Sequence, residues 1–123
     1  MRDYLFKGYS IIDHKWVRGS LVKRYYGDEQ FNYFITDELE FNPIQVAPES
    51  VGQFIGIYDN NGSCIFENDT ITNHEDYTGV VEYDAEGGRY WIHCYDGAYL
   101  SMEDIEGDYI EIVGNAYDAK IGD

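Results

Sequence analysis

A chain of 123 residues with 44% hydrophobic content is long enough for one core and too apolar for a disordered polyanion. It carries 8 Lys and Arg against 24 Asp and Glu, a formal net charge of −16. That charge disfavours direct nucleic-acid binding, because phosphate backbones are held by cations. No stretch approaches the ~20 apolar residues of a membrane-spanning helix, so no membrane contact is expected. Asp3 and Lys7 interrupt the N-terminal MRDYLFKGYSIID, which therefore lacks the apolar centre of a secretion signal. A cytoplasmic chain with Cys64 and Cys94 as reduced thiols is the expectation. Thirteen tyrosines, 13 glycines and only 2 prolines suit short strands joined by glycine-marked turns.

Residues 4–12 and 16–23 read as two strands around the polar turn Asp13-His14-Lys15, with Gly19-Ser20 expected to form a bulge or bend. Residues 25–30 are polar and turn-like. FNYFIT (31–36) alternates as a strand, and 37–43 reads as a loop or short strand. Pro43 and Pro48 bracket the short extended piece I-Q-V-A. Phe54, Ile55 and Ile57 run into Asp59-Asn60-Asn61-Gly62, where Asn61-Gly62 would supply positive φ for a tight hairpin. Cys64, Ile65 and Phe66 return, Glu67-Asn68-Asp69 turns again, and Ile71 opens another strand.

TGVVEYD (78–84) and RYWIHCYD (89–96) form a second hairpin around A-E-G-G, and D-G-A (96–98) makes a further turn. Ser101 and Asp104 match a capping box that could open one helical turn before Gly107. DYIEIVG (108–114) is the last expected strand, followed by a mobile or peripheral tail. The pattern predicts an all-β chain of eight or nine short antiparallel strands with at most one or two helical turns.

Four segments carry a family likeness, in order along nearly the whole chain: WVRGSLV (16–22), PESVGQFIGIYDNNGSCIFENDTI (48–71), GVVEYD (79–84) and IEIVGNAYD (110–118). The chain resembles the YopX family, small proteins of bacteriophages and of prophages in mainly Gram-positive bacteria. Ser50 and Ile55 stand where the family pattern has Thr, and Asn68-Asp69-Thr70 stands for Gly-Asp-Ile. The resemblance implies a β-rich fold and a phage or prophage origin, and it implies no activity. It also divides one domain, residues 1–123, into N-terminal strands (1–47), a motif-bearing core (48–115) and a tail (116–123). By analogy, an SH3-like small barrel or a barrel-like sandwich is the expected architecture.

The side chains with chemistry are weighed against ordinary structural roles. Counted from Asp59 as an EF-hand loop, the sixth residue is Cys64 and the twelfth Thr70, where Gly and Glu are required. The loop is also too short for a phosphate-cradling P-loop, so Asp59, Asn61 and Gly62 read as a structural turn. Cys64, His74, His93 and Cys94 lack paired zinc-ligand spacing, and neighbours on a strand such as His93 and Cys94 face opposite sides. No oxyanion motif accompanies either cysteine. No catalytic residue, metal or cofactor is therefore expected.

The run Glu103, Asp104, Glu106, Asp108, Glu111 reads first as a solvated face. Thirteen tyrosines nevertheless exceed what a small core packs, and tyrosine is enriched at interfaces. Tyr83, Tyr90, Tyr95 and Tyr99, with Glu103, Asp104 and Glu106, form the candidate interaction surface. The expected function is non-enzymatic: a self-associating, homo-oligomeric module that docks a basic protein partner. The alternative is an acidic decoy that occupies the nucleic-acid site of another protein. Lys15, Arg18, Lys23 and Arg24 lie close in sequence near Asp28 and Glu29, and four charges make only a weak patch for nucleic acid.

Overall fold

A computed structural model describes residues 5–37 and 41–121 of the chain. Eleven strands are formed among them: β1 (Phe6–Tyr9), β2 (Trp16–Gly27), β3 (Gln30–Asp37), β4 (Pro43–Val46), β5 (Gly52–Tyr58), β6 (Cys64–Phe66), β7 (Asp69–Thr72), β8 (Thr78–Asp84), β9 (Arg89–Cys94), β10 (Tyr99–Ser101) and β11 (Glu111–Asn115). A single 3-10 turn at Pro48–Ser50 and one short helix, α1 (Ala116–Ile121), complete the elements. The strands lie in two antiparallel sheets, ordered β4-β3-β2-β1-β5-β6 and β10-β9-β8-β7-β11. The chain is mainly β, as its composition predicts, but neither sheet closes into the SH3-like barrel expected by analogy. No helix among the described residues is long and apolar enough to cross a membrane. Both cysteines are free thiols.

The chain gathers into two compact units, Met1–Phe54 and Ile55–Asp123. In the first, Val17, Ile35 and Val46 form the buried centre, flanked by Phe6, Leu21, Tyr33, Ile44 and Val51. Gly8 is required there, because a Cβ on it would stand 2.9 Å from the Val46 side chain. Ser50 is buried and its hydroxyl donates to the Ala47 carbonyl at 2.6 Å while accepting the Tyr9 N–H at 2.7 Å. A hydroxyl is thus what this position needs, which either Ser or the Thr of the family pattern supplies.

The N-terminal strands differ from expectation in three ways. Gly19 and Ser20 pair in register with Asp37 and Thr36, so the bulge falls instead between Tyr25 and Gly27. Residues 25–27 continue β2 rather than turning, because Tyr25 packs edge-on against Phe31 across the ladder with centroids 5.5 Å apart. Asp28 and Glu29 alone make the turn, with Glu29 at φ 62°. Pro43 begins β4 against Thr36, while the expected loop at residues 38–40 lies outside the described residues.

In the second unit Ile65, Ile71, Val81, Ile92, Cys94, Ile105 and Ile110 are buried together, with Ile57, Tyr77, Tyr90, Leu100 and Met102 around them. Full burial of each isoleucine contributes about 1.5–3 kcal/mol. Val81, Ile92 and Leu100 are register partners across β8, β9 and β10, so one face of that sheet is the core face.

The last strand starts later than expected, at Glu111, because Asp108–Ile110 is held by loops instead of a ladder. Tyr77 donates its hydroxyl to Asp108 at 3.0 Å, and Asn73 Nδ2 donates to the Tyr109 carbonyl at 2.9 Å. After the last strand Asn115 is buried, Ala116 N–H donates to the Asn68 carbonyl, and α1 follows. Ser101 and Asp104 make both bonds of the capping box, at 2.9 and 3.1 Å, yet turns and no helix follow. Gly107, at φ 85°, ends that stretch too soon for one.

Candidate interaction site

The acidic D-N-N-G loop is a structural clasp. Asp59 is buried, its Oδ1 accepts the N–H groups of Asn61 and Ser63 at 2.9 Å each, and its Oδ2 accepts that of Ile112 at 3.2 Å. Asn60 closes the clasp, its Oδ1 accepting the Ile110 N–H at 2.6 Å while its own N–H donates to the Ile110 carbonyl. Burial pushes the Asp59 carboxyl up, and the amides of Ser63, Ile112 and Asn61 more than offset it, leaving it below the ordinary aspartate value. Only Gly62 takes positive φ, at 84°, and Asn61 does not, so the two-residue mirror turn expected from Asn61-Gly62 does not form. A longer loop forms instead because the Asp59 side chain supplies the acceptor that organises it.

Alternation places a second set of side chains on the face of β8-β9-β10 opposite the core. Val80, His93 and Tyr99 are register partners there, then Glu82, Trp91 and Ser101, then Asp84 and Arg89. His93 stacks on Tyr99 with centroids 4.3 Å apart and rings inclined by 11°, and its Nδ1 lies 3.0 Å from Glu82 Oε2. Trp91 meets Tyr99 edge-on at 6.4 Å and donates its indole N–H to Asp84 Oδ2 at 3.1 Å. That indole bond holds the Asp84 carboxyl below its ordinary range, helped by the Gly87 and Glu86 amides and the Arg89 guanidinium. Arg89 itself lies 4.3 Å from the Trp91 ring centroid, a cation over an aromatic face. Glu82, Tyr83, Asp84, Trp91 and Tyr99 line a recess of about 430 Å³.

A second recess, of about 390 Å³, lies among Ile57, Tyr58, Met102, Glu103, Ile105, Glu106 and their neighbours. Four of the seven expected surface residues line these two recesses. Tyr83 and Tyr99 belong to the first recess, and Tyr83 packs edge-on against Tyr90 at 5.1 Å. Glu103 and Glu106 belong to the second, and Asp104 is spent on the capping box. Tyr95 is 72% exposed and lines neither recess. Trp91, Glu82, Asp84 and His93 were missing from the sequence-based surface. Their signal is the alternation of β9, which sets Trp91 and His93 opposite Ile92 and Cys94.

Two histidines stand beside carboxylates. His93 is engaged with Glu82 and Tyr99, and His74 Nε2 lies 2.7 Å from Glu111 Oε2. Burial, with Asp96 nearby, pushes the Cys94 thiol up and away from the nucleophilic thiolate.

Two open antiparallel sheets with recesses walled by both rings and carboxylates define a mainly-β protein whose distinctive chemistry lies on its surface. No curated protein matches the chain. The model of the family described as YopX protein matches residues 5–120, nearly the whole length, and the chain belongs to the YopX family.

Proposed function

We propose that this YopX chain is a non-enzymatic accessory protein of phage or prophage origin. In the host cytoplasm it would act as an interaction module that self-associates and offers its anionic unit to a basic protein. One observation carries the reading: both recesses of Ile55–Asp123 combine apolar walls with carboxylates, Glu82 and Asp84 in one and Glu103, Glu106 and Asp108 in the other. Residues 55–123 hold 16 acids against 2 bases, Arg89 and Lys120, a net −14. Such a field steers cationic partners, and the apolar walls cover the aliphatic stems of their Lys and Arg side chains.

Calorimetry with a Lys/Arg-rich peptide and an acidic control at low and high salt tests the reading. Binding of the basic peptide alone, weakening as salt rises, is the expected result. Affinity indifferent to salt, or no binding, overturns it. The same 16-to-2 imbalance supports a second reading, the acidic decoy. Duplex DNA would then compete with the chain for a captured partner, and simultaneous binding of both would remove that reading.

A further inference from the structure

We propose that the recess beside Trp91 receives the flank of the β2–β3 ribbon of a second copy of this chain. The inference rests on the self-association read above and names the two surfaces that meet. β1 pairs with β2 only at residues 16–19, and β4 pairs with β3 only at residues 33–36. Residues 24–27 and 30–32 therefore run on as a ribbon of two strands with Lys23 at its base, an arrangement that is marginal in water unless something packs on it. Its rings are left open to solvent: Tyr25 is 63% and Tyr26 65% exposed.

The ribbon also carries cations among those rings. Lys23 Nζ lies 4.7 Å from the Phe31 centroid and 5.6 Å from that of Tyr33, and the Arg24 guanidinium 5.1 Å from that of Phe34. Asp28 and Glu29 stand at the turn, so the cationic stretch is the flank of the ribbon and not its tip. Six of the eight bases of the chain fall in residues 1–54, whereas the unit bearing the recess has a net −14.

The recess suits that flank in sign and in the rings it offers. Glu82 and Asp84 supply carboxylates, while Trp91 and Tyr99 supply rings, with Tyr99 54% exposed. Arg89 over the Trp91 ring, beside its register partner Asp84, is a guanidinium already held on an aromatic face of this surface. The contact joins different surfaces on the two copies, so its repetition gives a ring, or a filament if the rotation does not close.

Two charge reversals test it, Lys23→Glu with Arg24→Glu in one variant and Glu82→Lys in another. Light scattering over a concentration series, with circular dichroism as the check on folding, reads the result. Each variant alone should need about tenfold more protein than the wild type to assemble. Mixed together they should assemble at lower concentration than either alone, because the intact ribbon of one variant meets the intact recess of the other and the reversed charges are again opposite. Wild type that assembles while both variants assemble equally well, or a mixture that stays monomeric, overturns this contact alone. A monomeric wild type overturns self-association itself.

Discussion

Asn115 donates its side-chain N–H to Asp69 Oδ1 at 3.0 Å, joining two buried residues 46 positions apart. The second Asp69 oxygen accepts the Phe66 N–H at 2.8 Å, and Asn115 Oδ1 accepts the Tyr117 N–H at 2.8 Å. One pair thus ties the turn before β7 to the junction of β11 and α1. Asp69→Ala strips the acceptor from a buried amide and a buried side chain, and should cost about 2–4 kcal/mol. Asn115→Ala should cost less, about 1–3 kcal/mol, since one Asp69 oxygen keeps its partner. In urea unfolding the double variant should lose less than the sum of the two, and strict additivity would show that the pair is not coupled.

Asp59 links stability to pH. Its folded-state pKa lies below the ordinary aspartate value of 3.8, so the unfolded chain binds its proton first as pH falls. The contribution is fully present above that ordinary value and is lost as pH drops through the lower, folded one. Urea midpoints measured from neutral pH down into the acid range should fall for the wild type. Asp59→Asn should be less stable at neutral pH by about 1–3 kcal/mol, with a shallower acid limb. An unchanged acid limb would place the titration elsewhere.

Gly79 faces Cys94 in register, and a Cβ there would stand 2.6 Å from the His93 carbonyl oxygen and 2.8 Å from the Cys94 Cα. Backbone cannot swing aside as a side chain can, so β8 and β9 must separate. Gly79→Ala should destabilise the chain by about 1–3 kcal/mol in chemical unfolding. Gly62→Ala has open space around it, and its cost comes from the positive φ alone. A Gly79→Ala variant as stable as the wild type would mean that the two strands tolerate wider spacing.

Sequence reading reached as far as local chemistry reaches. The hairpin expected at 78–84 and 89–96 forms as Thr78–Asp84 and Arg89–Cys94, because its alternation and its glycine turn agree. The same alternation separates Trp91 and His93 from Ile92 and Cys94. That Glu82 stands opposite Trp91, and Tyr99 opposite His93, depends on two registers that composition does not state. The stretch at 25–30 reads as a turn because it is polar, yet Tyr25 meets Phe31 across the ladder and lengthens β2. The acidic run near Glu103 reads as a flat solvated face. The fold makes it a recess by burying Ile105 and half-burying Met102 between the acids.

Cys94 gives a chemical test of the second core. Its side chain is buried among Val81, Ile92 and Ile105, with Sγ 3.9 Å from the Ile92 carbonyl oxygen. Burial comes first in raising its pKa, and Asp96 adds to it, so the thiolate that alkylating reagents need is scarce as well as shielded. In native buffer at mildly alkaline pH, Cys94 should stay unmodified by iodoacetamide, as read by peptide mass spectrometry, and react fully in denaturant. Val81→Ala, about 1–2 kcal/mol less stable through the cavity it leaves, should speed that labelling by raising the population of opened chains. Rapid labelling of native Cys94 would mean that β9 does not present it to the core, and would remove the opposite-face placement of Trp91 and His93.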